Sequence, residues 1–227
     1  MLNKKLKRVV SCVVLSFCMM STTAFAGTWE GSQYHWKYLK DDGSYANSQW
    51  IYDNGSWYFF NKSGVMAYNE DLDNDGARYL GFNYDFGGYS YYVDWSGKMV
   101  SGGFVDKDST DKLFADKDGH LVKGLFMVDG DLYYASSSFN VDVTYAEPAY
   151  LLNYNNGKDA IEINCYHNKG KILDRDGKPF EANSKLYTIA KYVPKYDSKG
   201  NFIGEIKNSN GYDFQMVLAG GGERGPM

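Results

Sequence analysis

Cysteine is nearly absent from this 227-residue chain, which has only Cys12, Cys18 and Cys165. The first two fall in a leader-like start, so an exported product would keep Cys165 alone and form no internal disulfide; its stability must then come from packing or from a repeated architecture. Positive charge is also scarce, with 24 basic against 28 acidic residues. Without Lys4, Lys5, Lys7 and Arg8 the balance becomes 20 against 28, a net charge of −8. So acidic a chain is a poor nucleic-acid binder, because counterion release needs a basic surface. Long hydrophobic runs are missing as well. The stretch Val9–Met20 is too short for a comfortable span, and no later segment approaches the roughly 20 apolar residues a bilayer demands. Nor is there a Leu-Pro-x-Thr-Gly-type sorting motif followed by a membrane segment, so covalent anchoring by that route is not expected.

The start has the three parts of a secretory signal: basic residues, the apolar stretch, and the small-residue end Ala24-Phe25-Ala26. Residues 1–26 are read as a signal peptide, and the product from Gly27 onward is expected outside the cytoplasm. Val9-Val10-Ser11-Cys12 has the outline of a lipoprotein box, but it follows the basic residues directly with no apolar segment before it. Phe17 before Cys18 spoils the second such box, and no lipid anchor is expected.

Aromatic residues are abundant instead, at 17% with 21 tyrosines, and internal periodicity explains where they go. Trp57-Tyr58-Phe59-Phe60 begins seven residues before Gly64, and Met66 follows it by two. Trp36-Lys37-Tyr38-Leu39 and Tyr45 stand likewise around Gly43, Ser90-Tyr91-Tyr92-Val93 and Met99 around Gly97, and Lys112-Leu113-Phe114-Ala115 and Leu121 around Gly119. Each unit reads as a hairpin: an aromatic strand, a polar turn ending in a glycine able to take positive φ, and a short second strand. Isolated hairpins are barely stable, so the units must bury their aromatic faces against one another. The pattern predicts an all-β, solenoid-like stack over residues 27–145. Beyond it, 146–219 reads as degenerate repeats or a small β region, and 220–227 as a flexible tail. Around Gly170 with Ile172, and Gly200 with Phe202, the same spacing persists in weaker form.

The run from Trp50 to Ala67, WIYDNGSWYFFNKSGVMA, resembles the choline-binding or cell-wall-binding repeat of Gram-positive surface proteins and autolysins. That resemblance implies a ligand cage in which rings from adjacent hairpins surround a quaternary ammonium by cation–π attraction. Trp50 and Trp57 match the two tryptophan positions of one unit, and Trp36 matches the strand tryptophan of the unit before. Tyr38, Phe59 and Met66 match the supporting positions. Ser90 and Lys112, with Gly103 and Leu125, stand where the later units would need tryptophan, so those units are expected to stack rather than bind. The resemblance implies a non-catalytic surface module held to teichoic-acid choline or wall polysaccharide. The alternatives are the repeat module of a wall hydrolase with a small catalytic domain after residue 145, and an adhesin recognising a host glycan or protein.

Other constellations are weaker. Asp71, Asp73 and Asp75 with Gly76 reproduce the first half of a calcium loop, but Phe82 stands at the twelfth position, and an ordinary polar turn is the favoured reading. No other metal and no cofactor is expected. Cys165 and His167 share one strand face, yet no third orienting residue is identifiable and a buried cysteine is favoured. His35 and His120 are isolated in sequence, and Glu147, Glu162, Asp174 and Asp176 are carboxylates with no spacing that fixes an acid–base pair.

Overall fold

The structure is a computed structural model that describes residues 27–32, 35–68, 79–80, 89–106, 110–144, 146–153 and 161–219. The expected signal peptide, the calcium candidates Asp71, Asp73 and Asp75, and the expected tail 220–227 lie outside the described residues. The described chain is all-β apart from one short helix, α1 (Lys185–Ile189).

Four antiparallel pairings carry the aromatic units. They are β1 (Thr28–Glu30) with β2 (Lys37–Leu39), β3 (Gln49–Asp53) with β4 (Ser56–Phe60), β5 (Tyr79–Leu80) with β6 (Tyr91–Tyr92), and β7 (Gly103–Asp106) with β8 (Asp111–Ala115). A fifth hairpin, β9 (Gly124–Val128) with β10 (Asp131–Ala135), was not counted among the glycine-marked units, because its second turn ends in Phe139 where the others have glycine. Phe139 takes φ +64°, the left-handed backbone its counterparts reach without a side chain.

The turns share one internal scaffold. In Asp94–Lys98 the Gly97 amide donates to the Asp94 carbonyl (2.9 Å) and the Asp94 amide to the Lys98 carbonyl (2.9 Å). The Asp94 carboxylate meanwhile accepts the amides of Ser96 (2.8 Å) and Lys98 (3.0 Å). Asn61, Asp116, Ser136, Asp174 and Asp197 do the same in their own turns. These side chains mimic the backbone acceptor that a tight turn otherwise lacks. The signal, an Asp, Asn or Ser three residues before the turn's last position, was present in the sequence.

The short segment after each turn ties one unit to the one before. The amides of Met66, Met99 and Leu121 donate to the carbonyls of Trp36, Trp57 and Ser90 at 2.8 Å each, one unit back. The amides one residue on, in Ala67, Val100 and Val122, donate to Phe59, Tyr92 and Phe114 in their own units. Val141 in β11 (Val141–Asp142) continues the series by pairing with Lys112 of β8.

From β9 onward the hairpins merge into an eight-stranded sheet. Its order is β16 (Phe202–Lys207), β15 (Tyr192–Tyr196), β9, β10, β14 (Lys171–Asp174), β13 (Ile161–Asn168), β12 (Ala146–Asn153), β17 (Gln215–Leu218). β15 joins β9 in parallel, and the other pairings are antiparallel. Around Gly200 the predicted spacing holds, with Tyr196 opposite Phe202 across the turn. Around Gly170 it does not. Lys169 (φ +49°) and Gly170 (φ +96°) form the two-residue connection of β13 to β14, the place of Asn54-Gly55 and Asp129-Gly130 in their hairpins. The counterpart of the capped turn is Asp174–Gly177.

The core is correspondingly segmented. One cluster holds Tyr38, Ala46, Phe60, Met66 and Tyr68, and a second holds Tyr92, Leu113, Ala115, Leu121 and Phe139. A third is built on Phe114, Phe126, Val141 and Tyr196. The fourth lies against the large sheet, where Leu125 and Leu132 of the fifth hairpin meet Ala149, Leu151, Cys165, Ile172, Val193 and the α1 residues Leu186 and Tyr187. Each cluster is sealed by elements of its neighbours, as expected of units too small to bury an apolar face alone.

Candidate aromatic binding site

Strand alternation and cross-strand register sort the aromatics of β3 and β4 onto two faces. Ile51 opposite Tyr58, with Phe60, forms the first, which packs on Trp29 and Tyr38. The Trp29 ring lies 4.9 Å from Tyr58 and 5.2 Å from Tyr38, both edge-to-face, and its indole N–H donates to Asp53 at 2.9 Å. Trp29 precedes the first marked unit and had no place in the spacing pattern, so its central packing role was not legible. The second face pairs Trp50 with Phe59 and Tyr52 with Trp57, the ring centroids 5.3 and 5.1 Å apart. Tyr91 of the following unit meets Trp50 edge-on at 5.2 Å.

The six expected cage residues therefore divide by role. Tyr38 and Met66 are buried in one core cluster, and Phe59 is buried against Trp50. Trp50 is half-buried, whereas Trp36 and Trp57 remain 37% and 43% exposed. The two exposed indoles occupy equivalent places on successive units, since the carbonyl of each accepts the amide of the post-turn residue one unit on. Of the six, these two side chains are the most exposed. Elsewhere on the first unit, Lys37 Nζ stands 5.5 Å from the centre of the Tyr45 ring.

Other sequence candidates resolve differently. Cys165 is buried in the large core, and desolvation pushes its thiol up to about 12, so it stays protonated near neutrality and is a poor nucleophile. His167, on the same strand, is buried and accepts the Gly170 amide at Nε2 (3.1 Å). Asp174 caps its turn, which gives that carboxylate a structural occupation. Asp116, Asp118 and His120 bring one ligand atom each within 4.8 Å of one another. Asp116, however, is occupied by turn amides and the His120 ring, and Asp118 pairs with Lys117 at 2.6 Å, so both carboxylates already have partners.

Comparison with known proteins adds a family. A glucosyltransferase-S of Streptococcus mutans is 29% identical over 164 residues, which are 70% of this chain and 10% of that protein. The chain thus spans about a tenth of the length of this curated relative. Among solved structures, the multimodular pneumococcal cell wall endolysin from phage Cp-1, complexed with choline, is 20% identical with a TM-score of 0.40, covering 70% of this chain and 40% of that one. CbpF in complex with ipratropium is 25% identical with a TM-score of 0.44, covering 65% and 39%. At TM-scores under 0.5 these superpositions are loose over the chain as a whole. Residues 48–66 match the family described as "Putative cell wall binding repeat". The segment holding Trp50, Trp57, Phe59 and Met66 is thus the part of the chain that matches this repeat.

Proposed function

We propose that this protein is a secreted, non-catalytic module that attaches non-covalently to the bacterial cell wall through exposed tryptophans on a solenoid-like stack of hairpins. The observation that carries the reading is the equivalent placement of Trp36 and Trp57 on successive units, both side chains partly exposed. Rings presented this way suit choline of teichoic acid through cation–π attraction, worth roughly 0.5–2 kcal/mol per contact. The family match over residues 48–66 and the choline in the related endolysin's complex support this ligand class. No cofactor is needed for such binding. Residues 146–219, which share a sheet and a core with the fifth hairpin, would serve as a second surface continuous with the stack.

Wall polysaccharide is the second reading, because tryptophan and tyrosine faces also stack on sugar rings, and the likeness to a glucosyltransferase favours it. Calorimetric titration of residues 27–227 with choline and with purified walls separates the two. Saturable choline binding that disappears in Trp57→Ala supports the cage. Choline binding unchanged by Trp36→Ala and Trp57→Ala would overturn it, and binding to walls but not to choline moves the function to the glycan.

A further inference from the structure

A cavity of about 260 Å³ lies away from the tryptophan units, between the capped turn Asp116–Leu121 and the C-terminal strands. One wall is the Tyr89 ring, 53% exposed and stacked on His120 at 3.8 Å with the planes only 20° apart. His120 is fixed by its Nδ1 contact with the Asp116 carboxylate at 2.9 Å, so it backs Tyr89 as a rigid platform. Tyr192, 45% exposed, also lines the cavity, together with Tyr212 and Asp213. Two separate stretches of chain therefore present tyrosine rings to one small space.

We propose that this groove is a second binding site, and that it takes a single neutral sugar ring. The formal charges around it are of both signs, Asp116 and Asp213 standing against Lys123 on the lining and Lys191, which lies 3.3 Å from Asp213. Lys123, also on the lining, directs its ammonium at the Phe139 ring, 5.7 Å from its centre. A permanent cation would meet little uncompensated negative charge there. A pyranose instead offers a C–H face to the tyrosine rings and hydroxyls to the remaining lone pairs of Asp116 and Asp213. The volume lies just below the roughly 300–1,000 Å³ of ordinary ligand pockets, which limits the occupant to about one ring. None of these groups belongs to the tryptophan units, so the proposal stands or falls separately from the choline cage.

The test is nuclear magnetic resonance titration of ¹⁵N-labelled residues 27–227 with N-acetylglucosamine, glucose and choline in turn. Saturable shifts clustered at Tyr89, His120, Tyr192 and Tyr212 with either sugar are the expected result. Tyr89→Ala should weaken that binding about tenfold, roughly the loss of one ring contact. Tyr89→Phe should retain it, and Trp57→Ala should leave it unchanged. Tyr192→Phe removes only the hydroxyl and guards against a Tyr192→Ala variant that fails to fold. Absence of groove shifts with both sugars into the millimolar range overturns the proposal, as does a groove that responds to choline alone.

Discussion

Met66 occupies the space that a side chain on Gly97 would need: a Cβ there would stand 2.5 Å from Met66 Cε and 2.8 Å from its Sδ. Met99 stands in the same relation to Gly119, at 2.7 and 2.8 Å. The hydrophobe two residues after one turn therefore packs on the glycine of the next. Glycine is favoured by its φ of +80°, and a methyl there would also have to displace the Met66 tip and crowd the Ala67 carbonyl at 3.0 Å. Gly97→Ala should cost about 2–3 kcal/mol, adding left-handed strain to overpacking. Gly130→Ala, where φ is also positive but a Cβ meets nothing within 4 Å, should cost about 1 kcal/mol. Urea denaturation of the two variants checks the difference.

Phe139 sets two effects against each other, a strained backbone at φ +64° and a side chain buried among Tyr92, Leu113 and Leu121. Restoring the repeat's glycine relieves about 1 kcal/mol of strain and removes burial worth about 3–5 kcal/mol. Phe139→Gly should therefore destabilise the protein by about 2–4 kcal/mol. A thermal midpoint at or above that of the parent would show that the strain outweighs the packing.

The capped turns predict an acid limb. The Asp197 carboxyl is held below its ordinary 3.8 by hydrogen bonds from the Asn201 side chain and amide, and Asp42 is lowered likewise by Ser44. A depressed folded pKa contributes stability that is present above about pH 3.8 and lost as pH falls through the lower, folded value. Asp197→Asn keeps an acceptor in the turn but removes the titration. Unfolding midpoints followed through the acid range should fall less steeply for that variant than for the parent.

Cys165 should behave as a core residue. With its thiol pushed up to about 12 by burial, it should resist alkylation by iodoacetamide at mildly alkaline pH in the folded protein and react promptly in denaturant. Because the folded pKa is raised, the associated stability is complete below the ordinary value of 9.0 and declines as pH rises from there toward 12. Rapid alkylation without denaturant would place the thiol at an accessible site.

The units around Gly43, Gly64, Gly97 and Gly119 were legible because a hairpin stack leaves local marks: aromatic strands, a turn residue free to take positive φ, and a hydrophobe two residues on. Those marks singled out the run from Trp50 to Ala67, which overlaps the family match over residues 48–66, and they named Trp36 and Trp57. The fifth hairpin escaped because Phe139 performs a glycine's backbone task, and only its burial explains why. Spacing likewise could not separate the hairpin turn at Gly170 from the capped turn at Gly177, since both place a glycine in a polar loop.

What the sequence by itself determined is the all-β repeat, because each hairpin is specified within about 20 neighbouring residues by strand and turn propensities. Tertiary structure decided which rings are core and which are surface. Tyr38 and Phe59 carry the same aromatic label as Trp36 and Trp57, and they part only when neighbouring units bury one face of each hairpin. It also decided the parallel joining of β15 to β9 and the placing of Tyr89 and Tyr192 on one groove. These link residues 68 positions apart in the strand pairing, Lys195 with Met127, and 103 apart in the groove, Tyr89 with Tyr192, and no local propensity encodes a pairing whose cost is closing the loop between them.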